Sequence, residues 1–475
     1  MTQSSHKLKL TALTAMVVGS MIGGGIFSLP QNMAQSAGAG ATLIGWAITA
    51  VGMLMLAFVF QTLANQKPEL DAGVYAYAKA GFGNYMGFSS AWGYWISAFL
   101  GNVSYFVLLF GTLGYFFPIF GDGNTVPAII GASILLWSVH FLVLRGVKEA
   151  AFINQVTTVA KIVPLVMFII LAAVAFKLDV FTADFWGKGN IKLGSVMDQV
   201  RNMMLVTVWV FIGIEGASVY SARAEKRADV GRATVIGFLS TLLLLVLVNV
   251  LSLGVMSQPE LAGLKNPSMA YVLEHIVGHW GAIFISIGLV ISLLGALLSW
   301  TLLCAEILFS ASRDQTMPRF LHKENANGVP ANALWLSNGG VQVFLIITLF
   351  AASTYTSLLL LATSMILVPY FLSTAYGVMV AYKGDGYAEH GGNRNKDLII
   401  SVVATLYSMW LIYAAGVQFL LLSALLYAPG AILYTKARKE CGQIVFTTIE
   451  KFIFAAAVIG AIAASYGLYT GFLKL

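Results

Sequence analysis

The chain has 475 residues, 59% of them hydrophobic and only 10% charged, with a formal net charge of +7 and two cysteines. Soluble domains are about 45–50% apolar and about 25% charged, so a soluble multidomain protein is excluded, and Cys304 and Cys441 cannot build a disulfide framework. The basic excess falls in loops between apolar runs, where it sets orientation in a membrane and requires no nucleic-acid partner.

At about 20 residues per crossing, the apolar runs predict thirteen membrane helices, here called spans 1 to 13. They lie near 10–36, 40–65, 86–117, 126–145, 154–177, 198–221, 233–256, 280–311, 332–351, 355–382, 398–415, 417–435 and 451–472. Span 1 lacks a small-residue cleavage site and is expected to be retained. Most of the Lys and Arg residues lie in loops that the positive-inside rule assigns to the cytoplasm. The N-terminus is then cytoplasmic and, after thirteen spans, the C-terminus external. Between spans 7 and 8, the run from Met269 to Val277 is amphipathic and predicts a short surface helix. His275 and His279 stand at i and i+4 there, but no carboxylate or third ligand is placed with them, so neither a metal nor a cofactor is expected.

Two spans are interrupted by glycine: span 1 at Gly23, Gly24 and Gly25, and span 6 at Gly213-Ile214-Glu215-Gly216. A helix-interior glycine costs about 1 kcal/mol against alanine, and lipid tolerates unpaired backbone only where protein or a water-filled cavity surrounds it. Such glycines can simply permit close helix packing. Two clusters five spans apart instead favour an inverted-repeat transporter holding its solute near the bilayer midplane. There the N–H groups near Gly24, Gly25 and Ile26, at the positive end of a half-helix, suit a carboxylate. Carbonyls around Met21-Ile22 and Phe211-Ile212 suit an α-ammonium. Trp209 and Trp300 lie well inside their spans rather than at headgroup level, and a cationic side chain over such a ring gains about 0.5–2 kcal/mol.

Ionisable residues within spans are costly and mark function by default. Glu215 lies in the break of span 6 and Lys161 in the middle of span 5. Glu306, six residues beyond Trp300, either pairs with Lys161, confers cation preference on the inner vestibule, or extends to the membrane interface. His140, near the end of span 4, reads as a packing histidine.

The residues that surround the breaks resemble the amino acid-polyamine-organocation superfamily, and within it the basic amino acid and polyamine antiporters. They are Gly19-Ser20-Met21-Ile22-Gly23-Gly24-Gly25-Ile26-Phe27, Lys67-Pro68-Glu69-Leu70-Asp71-Ala72-Gly73-Val74-Tyr75-Ala76-Tyr77, Trp209-Val210-Phe211-Ile212-Gly213-Ile214-Glu215-Gly216-Ala217 and Ser299-Trp300-Thr301. The likeness covers most of the chain and is strongest to arginine–ornithine antiporters. It implies an all-α integral membrane fold, a single transporter domain of five-plus-five inverted-repeat type. Residues 10–177 (spans 1–5) and 198–382 (spans 6–10) would be the repeats, and 398–472 peripheral.

The resemblance further implies a substrate site of Ser20, Ile22, Gly23, Gly24, Gly25, Asn102, Trp209, Ile212, Gly213, Ala296, Trp300 and Ala362. Trp209 would close the outer side, and Tyr94, Glu215 and Tyr370 the inner. Lys161 aligns with a lysine that some members carry where sodium-coupled relatives bind a cation; it either braces span 1 against span 8, the favoured role, or carries a proton. Gly24 stands where relatives have serine, and Ala296 and Ala362 where they have polar residues, so the pocket is less polar than in arginine–agmatine exchangers. The implied activity is alternating-access exchange of arginine for ornithine in the bacterial inner membrane. Lysine–cadaverine exchange, histidine–histamine exchange and proton-coupled symport are the alternatives. An enzyme is not expected, since no His-Glu-x-x-His, P-loop or Gly-x-Gly-x-x-Gly motif accompanies a soluble lobe. The partners are cationic amino acids and the lipid bilayer, with a homodimer left open.

Overall fold

A computed structural model describes all residues except 1–8, 71–72, 147–149, 216–224, 227, 351–353 and 474–475. Among the described residues every regular element is a helix. In chain order these are α1 (Leu10–Met21), a 3-10 turn (Gly25–Ser28), α2 (Leu29–Ala34), α3 (Ala39–Gln66), α4 (Val74–Phe82), α5 (Asn84–Phe116), α6 (Val126–Leu144), α7 (Ala150–Ala175), α8 (Leu178–Thr182) and α9 (Val196–Trp209). Then follow α10 (Ala228–Val255), α11 (Gln258–Ala262), α12 (Ser268–Val277), α13 (His279–Arg313), α14 (Ala331–Ile347), α15 (Thr354–Lys383), α16 (Tyr387–His390), α17 (Arg394–Tyr427), α18 (Gly430–Glu440) and α19 (Thr448–Tyr469).

Among the described residues, ten helical segments are long and apolar enough to cross a membrane. The difference from thirteen falls in three places. The apolar stretch counted in span 5, Ala160–Ala175, is too short to qualify. The α-helix of span 6 stops at Trp209. Arg394–Glu440 forms one 47-residue run, roughly 70 Å at 1.5 Å per residue and about twice the hydrocarbon thickness. Gly416, at φ 72° and ψ 170°, interrupts it, at the boundary expected between spans 11 and 12.

The outer surface is apolar, as lipid requires: Ile170, Val174, Phe350, Ile432 and Ile459 are largely exposed. Inside, where lipid tails give helices no hydrophobic reason to associate, polar pairs join them. Trp46 donates to Asn249 Oδ1 at 2.8 Å, Thr49 pairs with Thr207 at 2.8 Å, and Trp95 donates to Ser337 Oγ at 2.8 Å. His140 belongs to this set. It is fully buried, 3.0 Å from Asn338 Nδ2, and edge-on to Trp335 at 4.2 Å.

The expected surface helix is present as α12. One detail around it differs from the sequence expectation: a carboxylate does accompany His279, because one turn of α12 and the Gly278 bend bring Glu274 back toward α13. His279 Nδ1 lies 3.3 Å from Glu274 Oε1 and 2.8 Å from the Tyr115 hydroxyl. No group of three ligands able to hold a metal occurs among the described residues.

Candidate functional site

The helical hydrogen bonding of span 1 stops at its glycines. Ile22, at φ −79° and ψ 88°, caps α1 with its N–H on Val18 O, and Gly23 N–H turns back to Met21 O at 3.0 Å. The chain resumes only in the 3-10 turn, where Phe27 N–H donates to Gly24 O. Among the described residues the N–H groups of Gly24, Gly25 and Ile26 have no partner, and all three residues are buried. A buried, unpaired N–H costs about 1–3 kcal/mol, so an acceptor entering here is stabilised. Glycine is also needed for close approach: a Cβ on Gly23 would collide with the Tyr105 hydroxyl, and one on Gly25 would stand 2.9 Å from Trp209 Nε1.

Span 6 breaks opposite. A capping box, Ser195 with Asp198, starts α9. The helix ends at Trp209 itself, one turn earlier than the sequence suggested, because the following bonds tighten: Phe211 N–H to Val208 O, Ile212 N–H to Trp209 O, and Ile214 N–H to Phe211 O. Gly213 takes φ 107°, a backbone conformation that L side chains rarely adopt. Gly216, the last residue of the expected break, lies outside the described residues. The two breaks touch, for Ser20 Oγ lies 2.9 Å from both Gly213 O and Val17 O and can donate to one of them at a time.

Between the breaks is a small cavity of about 10 Å³, lined in part by Gly25, Trp209, Ile212 and Trp300. That is about the room of one water, so an amino acid must push side chains apart to enter. The remaining wall comes from Met21, Val210 and one stripe of α5: Ser97, Ala98, Gly101 and Tyr105. The tyrosine ring sits 6.2 Å from that of Trp209. Of these six, only Met21 was singled out from the sequence, for its carbonyl. The spacing 94, 97, 98, 101, 105 is one helical face, and extending it from Tyr94 would have found four of them.

Tyr94 lies on the same stripe, on the far side of the cavity from Tyr105. Eleven residues separate the two, roughly 16 Å along the axis. Tyr94 donates to Glu215 Oε1 at 2.6 Å and Tyr370 to Glu215 Oε2 at 2.9 Å, and all three residues are buried. This joins α5, the break of span 6 and α15 by two charge-assisted hydrogen bonds. Tyr370 immediately follows Pro369, an in-helix proline of α15 that removes one backbone bond and lets the helix bend there.

Lys161 is buried, and its Nζ donates to Gly19 O and Ile22 O, both at 2.8 Å. These are carbonyls that the break of span 1 leaves without helical partners, so a fixed cation satisfies backbone that the glycines expose. Ile22 O, expected to receive the α-ammonium of a substrate, is therefore already in use; Met21 O accepts from Gly23 and Phe211 O from Ile214. Glu306 is exposed, 3.3 Å from Ser310 Oγ, and no ion pair links it to Lys161 among the described residues. Asn102 is buried beside the cavity-lining Gly101, with its Nδ2 3.8 Å from Cys304 Sγ. Ala296 and Ala362 are buried but do not line the cavity in this conformation.

The family model described as amino acid permease matches residues 8–429. An arginine/ornithine antiporter of Pseudomonas aeruginosa is 72% identical over 100% of this chain and 99% of its own length. An L-lysine transport protein of Corynebacterium glutamicum is 47% identical over 99% of this chain and 97% of its own. An arginine/agmatine antiporter of Chlamydia felis is 44% identical over 92% and 91%.

Proposed function

The chain belongs to the amino acid permease family, and from that membership and the facing breaks we propose that it exchanges arginine for ornithine across the bacterial inner membrane by alternating access. Residues 10–177 and 198–382 act as the two inverted repeats, with a cytoplasmic N-terminus, and 398–472 form the periphery. The observation that carries the proposal is the unpaired run of N–H groups at Gly24, Gly25 and Ile26, set against the Gly213 turn with Ser20 between them.

The substrate carboxylate takes those N–H groups. Because Lys161 holds Gly19 O and Ile22 O, the α-ammonium turns to the span 6 side, where Ile212 lines the cavity. The guanidinium or δ-ammonium lies against Trp300. Trp209 and Tyr105 cover one side of the site, and the Tyr94–Glu215–Tyr370 bridge seals the other. Opening one while the other stays shut moves the site from face to face. Arginine and ornithine each carry one positive charge, so one-for-one exchange moves no net charge and needs no proton gradient. Lys161 places its ammonium on carbonyls of the break, which supports operation without sodium.

The test is uptake of labelled arginine into proteoliposomes preloaded with ornithine, agmatine, lysine, cadaverine, histamine or nothing. Uptake should be fastest against ornithine and absent from empty vesicles. Equal uptake into empty vesicles, or uptake driven there by an acid exterior, would overturn exchange. Lysine is included because the Corynebacterium relative is a lysine transport protein; faster exchange with lysine than with ornithine would replace the counter-substrate.

A further inference from the structure

A second cavity lies away from the substrate site, where the end of α14 and the start of α15 meet α17 and the last turn of α19. Its volume is about 190 Å³, and its wall includes Phe344, Ile347, Leu358, Leu361, Leu425 and Leu468. Thr348 is one of two hydroxyls in the wall, and it already donates to Leu345 O at 2.6 Å. Water gains nothing there, since apolar cavities of about 150 Å³ stay dry and take up apolar ligands. Left unfilled, the wall forfeits its dispersion contacts on one side.

The cavity is open toward the outside of the bundle. Ile347 is exposed and Leu425 and Leu468 are half-buried, and Phe350, three residues past Ile347, is 86% exposed. In a membrane protein that surface meets hydrocarbon. The wall residues sit within about ten residues of one end of their helices, at Phe344–Thr348, Ser357–Leu361, Leu422–Leu426 and Leu468. This sets the cavity at the depth of one leaflet's acyl chains.

We propose that this cavity is a binding site for one acyl chain of a membrane phospholipid, wedged between spans 9, 10, 12 and 13. Its wall contains Leu361 of α15, the helix that also carries Tyr370 of the inner bridge, so the bound chain buttresses that helix from behind. This proposal rests on the membrane placement of the chain and not on which amino acids are exchanged.

Native mass spectrometry of the purified full chain tests it. Wild type should retain one phospholipid per chain at a collision energy that strips the others. Leu358→Trp/Leu425→Trp, which fills the cavity, should lower the retained fraction at least fivefold, whereas Ile130→Trp on the outward face of α6 should not. The milder Leu425→Phe should give an intermediate loss and serves if the double variant fails to fold; exchange activity and melting temperature report folding independently. Three results would overturn the proposal: no preferential retention in wild type, unchanged retention in the filled variants, or a shift in oligomeric state with lipid retention intact, which would assign the cavity to a second copy of the chain.

Discussion

Tyr370→Phe isolates one bond of the inner bridge. The substitution removes a hydroxyl that donates to Glu215 Oε2 at 2.9 Å and leaves Tyr94 on Oε1 at 2.6 Å. Ring packing against Phe60, at 6.0 Å between centroids, is kept. A hydrogen bond to a charged group contributes about 1.5–3 kcal/mol. In the proposed gate the bond exists only while the inner side is shut, so its loss should raise the inward-open population. At 1.4 kcal/mol per factor of ten, a loss of about 2 kcal/mol shifts that ratio roughly 30-fold. Cys304 is a built-in reporter: it is 1% exposed and one turn beyond Trp300 along α13, the direction the proposed orientation assigns to the cytoplasm. In a Cys441→Ser background, its modification by a thiol reagent supplied from inside should proceed about 30-fold faster in Tyr370→Phe. Tyr94→Phe should act in the same direction, and the double variant should fall short of the sum, since both bonds stabilise one carboxylate. Unchanged Cys304 reactivity in both single variants, with normal arginine exchange, would refute the bridge as a gate.

Trp300→Ala should abolish measurable arginine binding by calorimetry while expression stays normal, the cation–aromatic contribution being about 0.5–2 kcal/mol and more in a dry site; near-normal affinity would remove Trp300 from the site. Gly25→Ala places a Cβ 2.9 Å from Trp209 Nε1 and 3.1 Å from Val210 Cγ1, an overpacking of about 1–3 kcal/mol that should hold the outer cover ajar. Exchange should then slow at least tenfold with little change in melting temperature, and a wild-type rate would contradict the close contact. Lys161→Met leaves Gly19 O and Ile22 O without their donor, and exchange should be lost with a lowered melting temperature. Wild-type exchange should be the same in sodium and choline buffers; a sodium requirement would contradict the role given to the lysine.

The breaks were legible because glycine clusters are so costly in apolar helices that their positions carry information. Glu215 was legible for a similar reason, as a carboxylate in a span. The wall of the cavity was not. In a soluble helix, polarity contrast tells the buried face from the exposed one; in a membrane helix lipid is as apolar as the interior, so Ser97, Ala98, Gly101 and Tyr105 look like any other stretch of α5. The end of α9 at Trp209 was missed because the tightening at Val210 to Ile212 involves β-branched and aromatic residues that give no breaker signal. The division at Gly416 was found where a single glycine separates two apolar runs, though the helix on each side continues without a loop.

The 10 Å³ chamber bears on bioenergetics as well as on substrate. Protons hop rapidly along files of hydrogen-bonded water, and a space for one molecule cannot hold such a file. With Tyr105 in its wall and Tyr94 about three turns away along α5, the chamber by itself offers protons no such file, as a carrier sharing its membrane with an electrochemical gradient requires.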